Sequence, residues 1–327
     1  MLGSPLRWTR SESLNLSSSR STVLRRPEIG FVGLGHMGGP MSARLVRAGY
    51  DVVGSDLVAT ARAKLRALGG RTVDDVGQIG AVADIVVLIL PNSDVVEAVA
   101  GQLASGMRPG AAIVDMSSSE PTRTRRLAES LSARGIRLVD APVSGGVRGA
   151  TDGTLTIMIG GDADAVPGLS ELFAQLGRPI SVGPVGSGHA VKALNNLLSA
   201  AHFWLTSEAV AIGIKLGIEP EVLLSVINRS SGRSGSSEAK WPSFVIPETF
   251  DSGFEAELML KDVKIAVGLA DDVNIPSLLG RDLSGLWEDA LNCLPAHADH
   301  TEIAKVLLER AALSELAATV ARPEERP

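Results

Sequence analysis

Short apolar runs alternate with helical stretches through the first half of the chain. Runs of strand length and β-type composition occur at Glu28 to Val32, Ile85 to Leu90 and Ala112 to Met116. Helical stretches such as Val95 to Leu103 and Pro121 to Arg134 separate them. Strands buried on both faces are apolar throughout, so this pattern predicts a parallel sheet covered by helices on both sides.

The strand pattern stops after Gly188, and the remainder of the chain is helical in character. Residues Ala190 to Leu216 run without proline and with one internal glycine, which as a helix is about 40 Å long. Apolar residues lie all round this helix, so we expect it to be buried on most sides. Further helices are expected at Glu221 to Asn228, Phe254 to Asp271, Leu278 to Leu294 and Thr301 to Ala318.

A glycine-rich turn, Gly33-Leu34-Gly35-His36-Met37-Gly38, lies between the first predicted strand and the first helix. Its glycines stand where a tight turn, the approach of a pyrophosphate and close helix–strand packing need them, and the helix supplies free N–H groups for phosphates. Asp56 ends the next strand, where a carboxylate accepts hydrogen bonds from ribose hydroxyls. An anionic side chain there would repel a 2′-phosphate, so the pattern predicts NAD rather than NADP.

The predicted fold class is α/β followed by all-α. We expect an N-terminal Rossmann domain, with a doubly wound parallel sheet, and then an all-helical domain, joined by the long interdomain helix. The length of 327 residues fits two domains. The expected boundaries are a disordered extension at residues 1–27, the NAD-binding domain at 28–187 and a helical substrate and dimerisation domain at 188–320.

Composition and charge exclude several function classes. The formal net charge is −6, so neither nucleic acid nor an anionic membrane is an expected partner. No uninterrupted apolar run reaches the roughly 18 to 20 residues that span a bilayer, since Asp84, His202 and Glu208 interrupt the longest ones. Cys293 is the only cysteine, which excludes an internal disulfide. The five histidines show no metal-ligand spacing, so no metal is expected.

The first 27 residues differ from the rest, with seven Ser and five Arg against one acid, Glu12. They show no periodic apolar face and no apolar core of a secretory signal. We interpret them as a disordered extension or a mis-assigned start, with an organelle transit peptide as the alternative. The predicted localisation is cytoplasmic, or the mitochondrial matrix if the extension is a transit peptide.

Several segments in order along the chain carry a resemblance to a known family. They are Gly30 to Met41, which includes the glycine-rich turn, Leu90-Pro91-Asn92, Asp115 to Pro121, Asp140 to Gly146, Gly153 to Thr156, Lys192 with Asn195-Asn196, and Leu258 to Asp262. Together they resemble the β-hydroxyacid dehydrogenases, whose members include 3-hydroxyisobutyrate dehydrogenase and tartronate semialdehyde reductase. The resemblance runs from Ile29 to about Leu307.

The resemblance implies roles for two side chains of the long helix. Lys192 matches the catalytic lysine of the family, and Asn196 matches its companion one helical turn later, on the same face. An ammonium at this place can protonate a carbonyl oxygen as hydride arrives, and the neutral amine can take the hydroxyl proton in the reverse direction. Desolvation between the domains would lower the pKa of the lysine.

The resemblance also implies binding residues. Ser144-Gly145-Gly146 matches the segment that binds the substrate carboxylate, and a hydroxyl with unhindered backbone N–H groups suits that ligand. Leu90-Pro91-Asn92 and Ser118 match positions that line the cofactor, and Lys261 matches a lysine near the nicotinamide. The chain departs from the family at Gly235, where a bulky aromatic residue is frequent, and this leaves the shape of the substrate pocket open.

These observations predict an NAD-dependent oxidoreductase that acts on a small β-hydroxy acid or its semialdehyde, with Lys192 as general acid and base. The expected assembly is a homodimer or homotetramer. One alternative is an NADPH-dependent imine or other carbonyl reductase, which Lys192 and Asp56 disfavour. The other is a non-catalytic dehydrogenase-like binding module, which Lys192 and the acidic charge disfavour. The sequence leaves the identity of the hydroxy acid open.

Overall fold

The first half of the molecule is built on one sheet. The computed structural model describes residues 26–312, and within them nine strands pair in the order β3-β2-β1-β4-β5-β6-β8-β7, with β9 beside β8. Strands β1 to β6 are parallel, while β8 runs antiparallel to β6 and β7. The strands are β1 Ile29–Val32, β2 Val52–Ser55, β3 Arg71–Thr72, β4 Ile85–Leu88, β5 Ala112–Asp115, β6 Arg137–Asp140, β7 Val143–Ser144, β8 Leu155–Gly160 and β9 Gly177–Gly183.

The sheet is covered on both faces, as its apolar strands predict. Phe31 and Val87 belong to a buried cluster on one face, and Val32 and Val86 belong to a second cluster on the other. The seven helices of this half are α1 Gly38–Arg47, α2 Ala59–Ala67, α3 Gly77–Val82, α4 Ser93–Gly106, α5 Pro121–Ser132, α6 Gly146–Asp152 and α7 Leu169–Leu176 within the described residues.

Chain connectivity reverses between β1 and β4, which are neighbours in the sheet. A doubly wound sheet binds its ligand in the crevice outside the carboxyl ends of its strands at such a point. The glycine-rich turn follows β1 and Leu90-Pro91-Asn92 follows β4. Both predicted cofactor segments therefore lie at the switch point.

The second half of the described chain is helical, so the α/β plus all-α prediction is confirmed. Its core includes the buried Phe203, Trp287 and Val263. A π-helical segment, Ser236–Val245, lies between the second and third α-helices of this half. The α-helices are α8 Ser187–Lys215, α9 Pro220–Ile227, α10 Ala256–Asp272, α11 Leu278–Leu291 and α12 Ile303–Arg310.

Helix α8 departs from its predicted burial. Leu194, Leu198, Leu205 and Ile212 are 48 to 62% exposed along one side, so the prediction of burial on most sides is wrong for the single chain. Within residues 26–312, α8 is the one helix long and apolar enough by length and composition to cross a membrane. It packs against α10, α12 and β8, and it buries Asn196. This is the behaviour of the core helix of a domain.

Two predictions at the chain ends fall mainly outside the described residues. The predicted extension at 1–27 has only its last two residues, Arg26 and Pro27, within the structure. The predicted helix Thr301 to Ala318 is seen as α12 and ends at Arg310, with residues beyond 312 outside the described part.

Candidate active site

The turn between β1 and α1 leaves no room for side chains at two of its glycines. Gly33 has a φ of +93°, in the region that favours glycine, and a Cβ there would overlap the carbonyl oxygen of Ile89. A Cβ on Gly38 would overlap the carbonyl oxygen of Gly33. A Cβ on Gly35 would meet no atom within 4 Å. The turn is thus closely packed at Gly33 and Gly38 and open at Gly35, and the open position suits the approach of a pyrophosphate.

Asp56 lies at the end of β2, beside this turn. Its carboxylate accepts hydrogen bonds from the backbone N–H groups of Leu34, at 2.6 Å, and Val58, at 2.7 Å. Each oxygen takes one of these bonds and keeps a further lone pair. His36 is exposed and Met37 is partly exposed. Asp56 is therefore anchored and can still accept from a ligand.

The loops after β4 and β5 carry the other predicted cofactor residues. The backbone N–H of Leu90 donates to the Ser117 hydroxyl at 2.9 Å. Pro91 is exposed, and Asn92 caps α4 by accepting from the N–H of Val95 at 3.0 Å. These bonds fix the shape of the loop that faces the glycine-rich turn across the switch point.

Lys261 joins the helical domain to the loop after β5. Its Nζ donates to the carbonyl oxygen of Ser118 at 2.5 Å and lies 3.1 Å from Oδ1 of the buried Asp262. The same lysine lies in the wall of a cleft of about 490 Å³ between the start of α5 and helix α10. The structure thus brings together two predicted residues, Ser118 and Lys261, that are 143 positions apart.

Lys192 lies one to two turns into α8 and points at the Rossmann domain. Its Nζ donates to the carbonyl oxygen of Val143 at 2.8 Å and lies 6.0 Å from the centre of the Phe254 ring. Burial lowers the pKa of Lys192, an effect that Asp262 opposes and Lys261 reinforces. A lysine in this setting exchanges its proton nearer to neutral pH than a solvated lysine does.

Asn196 lies one turn after Lys192 and is almost fully buried. Its Nδ2 donates to Oδ2 of Asp262 at 2.6 Å, and its Oδ1 accepts from Nδ2 of Asn195 at 3.1 Å. An amide NH₂ has two hydrogens, so one remains for a further acceptor. Lys192 and Asn196 therefore present hydrogen-bonding groups side by side.

Ser144-Gly145-Gly146 begins immediately after Val143, the partner of Lys192. Gly145 has a φ of +135° and Gly146 a φ of +62°, so both need glycine. Both are exposed, and they lead into α6, whose first N–H groups have no partners within the helix. The segment is open to a ligand next to the Lys192 ammonium.

Family models match both halves of the chain. Residues 28–186 match the NAD binding domain of 6-phosphogluconate dehydrogenase, and residues 186–307 match the NAD-binding domain of NADP-dependent 3-hydroxyisobutyrate dehydrogenase. The chain is 38% identical to 2-(hydroxymethyl)glutarate dehydrogenase of Eubacterium barkeri, over 76% of this chain and 84% of that protein. It is 38% identical to NAD-dependent L-serine dehydrogenase of Pseudomonas aeruginosa, over 73% and 84%.

The fold is also similar to a solved structure of a dehydrogenase. The 3-hydroxyisobutyrate dehydrogenase of Mycobacterium tuberculosis, with L-serine, superposes with a TM-score of 0.80 at 29% identity, covering 87% of this chain and 99% of that one. The chain belongs to the β-hydroxyacid dehydrogenase family. It is an NAD(P)-dependent oxidoreductase with a small-molecule hydroxy acid as substrate.

Sequence reasoning missed a buried polar network that holds α8 of this dehydrogenase in place. The Asp140 carboxylate accepts from the backbone N–H groups of Gly186 at 2.7 Å and His189 at 2.9 Å, at the start of the helix. The His189 ring bonds the Thr124 hydroxyl at 2.9 Å and lies 3.6 Å from Asp115. The Asp140-Ala-Pro motif was the available signal, although it was assigned to the segment that follows it.

Sequence reasoning also missed Lys240 of the π-helical segment Ser236–Val245. Its Nζ donates to the Ser199 hydroxyl of α8 at 2.8 Å and lies 5.7 Å from the centre of the Phe203 ring. Ser199 is two helical turns beyond Lys192, on the same side of the helix. A second lysine of this dehydrogenase therefore faces the helix that carries Lys192.

Proposed function

We propose that this dehydrogenase transfers hydride between NAD and the hydroxyl-bearing carbon of a small β-hydroxy acid of the 3-hydroxyisobutyrate type, with Lys192 as the general acid and base. The observation that carries the proposal is the Lys192 ammonium, 2.8 Å from the Val143 carbonyl oxygen, beside the open Ser144 to Gly146 segment. A proton-transfer group and a carboxylate-binding segment are thus adjacent.

The residues of the Rossmann domain suit NAD. Gly35 leaves the space that a pyrophosphate needs. In the first turn of α1 the Gly39 N–H bonds the Gly35 carbonyl oxygen and Pro40 has no N–H, so the Gly38 N–H is the one that remains for a phosphate. Asp56 keeps acceptor capacity for ribose hydroxyls, and its negative charge disfavours the 2′-phosphate of NADP. Bound NAD supplies a hydride acceptor in one direction and a hydride donor in the other.

Lys192 would move the proton. In alcohol oxidation the neutral amine takes the hydroxyl proton as hydride leaves the carbon, and in reduction the ammonium returns it to the carbonyl oxygen. The lowered pKa of Lys192, caused mainly by burial, makes the neutral amine accessible at moderate pH. The bond to Val143 uses one of the three hydrogens, so the others can face the substrate.

Asn196 would orient the same substrate oxygen. Asp262 accepts one hydrogen of its amide, which fixes the direction of the other. The Ser144 hydroxyl and the N–H groups of Gly145 and Gly146 would hold the substrate carboxylate. Fixing both ends in this way presents the reacting carbon in one orientation and lowers the entropic cost of reaction.

Replacing Lys192 tests the proposal. Lys192→Ala should lower kcat by about 10²- to 10⁴-fold, with little change in NAD affinity, because the cofactor segments lie in the other domain. Lys192→Arg should not restore the rate, since a guanidinium cannot act as the base. Asn196→Ala should act in the same direction but more weakly. The measurement is single-turnover NADH formation with 3-hydroxyisobutyrate, serine and 2-(hydroxymethyl)glutarate, together with NAD binding by fluorescence.

Lys215→Ala is the matched control, because Lys215 is an exposed lysine at the other end of α8. It should leave kcat unchanged. A Lys192→Ala enzyme that oxidises the best acid at nearly the wild-type rate would contradict the assignment of Lys192.

The exposed side of α8 supports a homo-oligomer. Leu194, Leu198, Leu205 and Ile212 form an apolar row that a single chain leaves accessible, and such a row typically marks a protein interface. A second copy of this chain is the expected partner, giving the predicted homodimer or homotetramer. Sedimentation velocity should show a dimer or larger species, and Leu205→Glu should shift it toward monomer.

A further inference from the structure

Lys240 approaches α8 on the same side as Lys192. Its Nζ bonds the Ser199 hydroxyl at 2.8 Å, and Ser199 lies seven residues after Lys192, a rise of about 10 Å along the helix. The spacing of seven residues brings the two positions to nearly the same side. The catalytic lysine and Lys240 therefore lie along one face, at different heights.

Lys240 has no carboxylate within ion-pair distance in the described part of the chain. Its only described hydrogen-bond acceptor there is the neutral Ser199 hydroxyl. Burial lowers the pKa of Lys240 to about 8, with Asp299 opposing the shift and Lys192 adding to it. The Asp299 carboxylate is itself occupied by Thr301 and the loop that begins at Ser252. A half-buried ammonium without a counter-ion destabilises the fold, and such groups occur preferentially at functional sites.

Three rings lie between the two lysines, and one carboxylate adjoins them: Oδ1 of Asp299 is 3.5 Å from Nδ1 of His300. The Phe254 ring lies beside Lys192, and His300 packs between the rings of Phe254, at 5.8 Å, and Phe203, at 5.6 Å. Burial lowers the pKa of His300 to about 3, so its ring is neutral at physiological pH. Phe203 and His300 are almost fully buried, so the partly exposed Phe254 ring is the apolar group of this set that a substrate can contact. An apolar ring with a cation on either side fits a substrate with an anionic group at its far end.

The segment that carries Lys240 also leaves space near its beginning. Gly235 directly precedes the π-helical segment, and a Cβ on it would meet no atom within 4 Å. A bulky aromatic side chain at this position would occupy that space. Gly235 is exposed, so with glycine here this space is open to solvent.

We propose that Lys240 binds an anionic group on the α substituent of the substrate, so that the preferred substrates are β-hydroxy acids with a second carboxylate. This inference rests on the proposed function, since Lys192 and the Ser144 to Gly146 segment fix the other end of the substrate. Lys240 is then a specificity-determining residue and takes no part in proton transfer. An acid with an ammonium on its α carbon, such as serine, is disfavoured because the two cations repel.

The test compares two acids that share the hydroxymethyl group and the α carboxylate. In one the α substituent is –CH₂CH₂COO⁻, and in the other it is the neutral –CH₂CH₂CONH₂. Wild-type enzyme should favour the first in kcat/KM. Lys240→Met should reduce that preference by roughly 10- to 100-fold, because a hydrogen bond to a charged group is lost. Turnover of the amide should change little.

Three results would overturn the proposal: an unchanged carboxylate-to-amide ratio in Lys240→Met, wild-type preference for the amide, or wild-type preference for serine. Ser199→Ala keeps the ammonium and should retain most of the preference. Lys215→Met, which removes an exposed lysine, should retain all of it. Failure of the proposed function is separate, since it would appear as Lys192→Ala acting on both acids at the wild-type rate.

Lys240→Met should remain folded, because it removes a half-buried cation and retains an unbranched side chain. Its melting temperature should equal or exceed that of the wild type in calorimetry. A lower melting temperature together with equal losses on both acids would assign Lys240 a structural role and contradict the proposal.

Discussion

The glycine-rich turn after β1 works through backbone and through the absence of side chains, whereas the inner face of α8 works through side chains. At the turn, Gly33 and Gly38 lie against carbonyl oxygens and tolerate no Cβ. On α8, Lys192 and Asn196 are held by Val143 and Asp262, which lie far away in the chain. In the proposed function the turn binds the cofactor and α8 carries the proton-transfer group, so substitutions in the two regions should affect different measurements.

The largest expected effect is at Gly38. Gly38→Val places side-chain atoms on the Gly33 carbonyl and separates β1 from α1. NAD affinity should fall at least about 100-fold, or the domain should fail to fold, because overpacking at backbone has no relaxed solution. Calorimetry with NAD titration measures both outcomes.

Gly35→Ala is the matched control for Gly38→Val, since its Cβ would meet open space. It should keep the melting temperature of the wild type and weaken NAD binding alone. If Gly38→Val bound NAD as tightly as the wild type, the turn would tolerate a side chain. The contrast between the turn and α8 would then be wrong.

A smaller effect is expected at Asp56, which should set cofactor choice. Wild-type kcat/KM should favour NAD over NADP by at least about tenfold, since the carboxylate repels a 2′-phosphate. Asp56→Ser should narrow that ratio. Asp74→Ser is a control, because Asp74 is an exposed acid that pairs with Arg62 near the same loop. Equal or reversed preference in the wild type would contradict this role of Asp56.

The smallest expected effect is at Asp140, which joins the end of β6 to the start of α8. Its carboxylate caps the start of α8 through two N–H groups. Asp140→Asn weakens these charge-assisted bonds, at a cost of about 1 to 2 kcal/mol, and should lower the melting temperature by several degrees. Asp152→Asn, at an exposed acid of α6, should have no such effect. An unchanged melting temperature in Asp140→Asn would show that α8 is positioned by packing alone.

The fold around the glycine-rich turn could be predicted from the sequence because its signals are local. A strand, a glycine-rich turn, a helix and Asp56 follow one another within 29 residues, counted from Glu28 to Asp56. Helix α2 was not predicted, because Leu65 is its one buried residue and leaves almost no apolar periodicity. The two covered sheet faces were predicted, since continuous apolar strands have no other stable environment.

The α8 region could be predicted only in part. The resemblance placed Lys192 and Asn196, but their partners Val143 and Asp262 lie 49 and 66 residues away, and no local pattern joins them. Lys240 lies in a π-helical segment that contains Pro242, where the usual helical periodicity fails. The exposed side of α8 was missed because an apolar sequence does not reveal whether its own chain or a second copy covers it.

Lys192 is proposed as the general acid and base, and the pH dependence of the chemical step tests this role most directly. Burial lowers the pKa of Lys192 below 10.5. The single-turnover rate of alcohol oxidation should therefore rise with pH as Lys192 loses its proton and level off above that pKa. The rate of carbonyl reduction should fall over the same range.

The measurement is the pair of pH profiles in wild type, Lys192→Ala and Lys240→Met. Lys240 needs the comparison because burial also lowers its pKa, to about 8. The rising limb of the oxidation profile should persist in Lys240→Met and should disappear in Lys192→Ala, where the rate should be about 10²- to 10⁴-fold lower. A rise of the oxidation rate with pH that persists in Lys192→Ala, or that disappears in Lys240→Met, would contradict the assignment of Lys192 as the proton-transfer group.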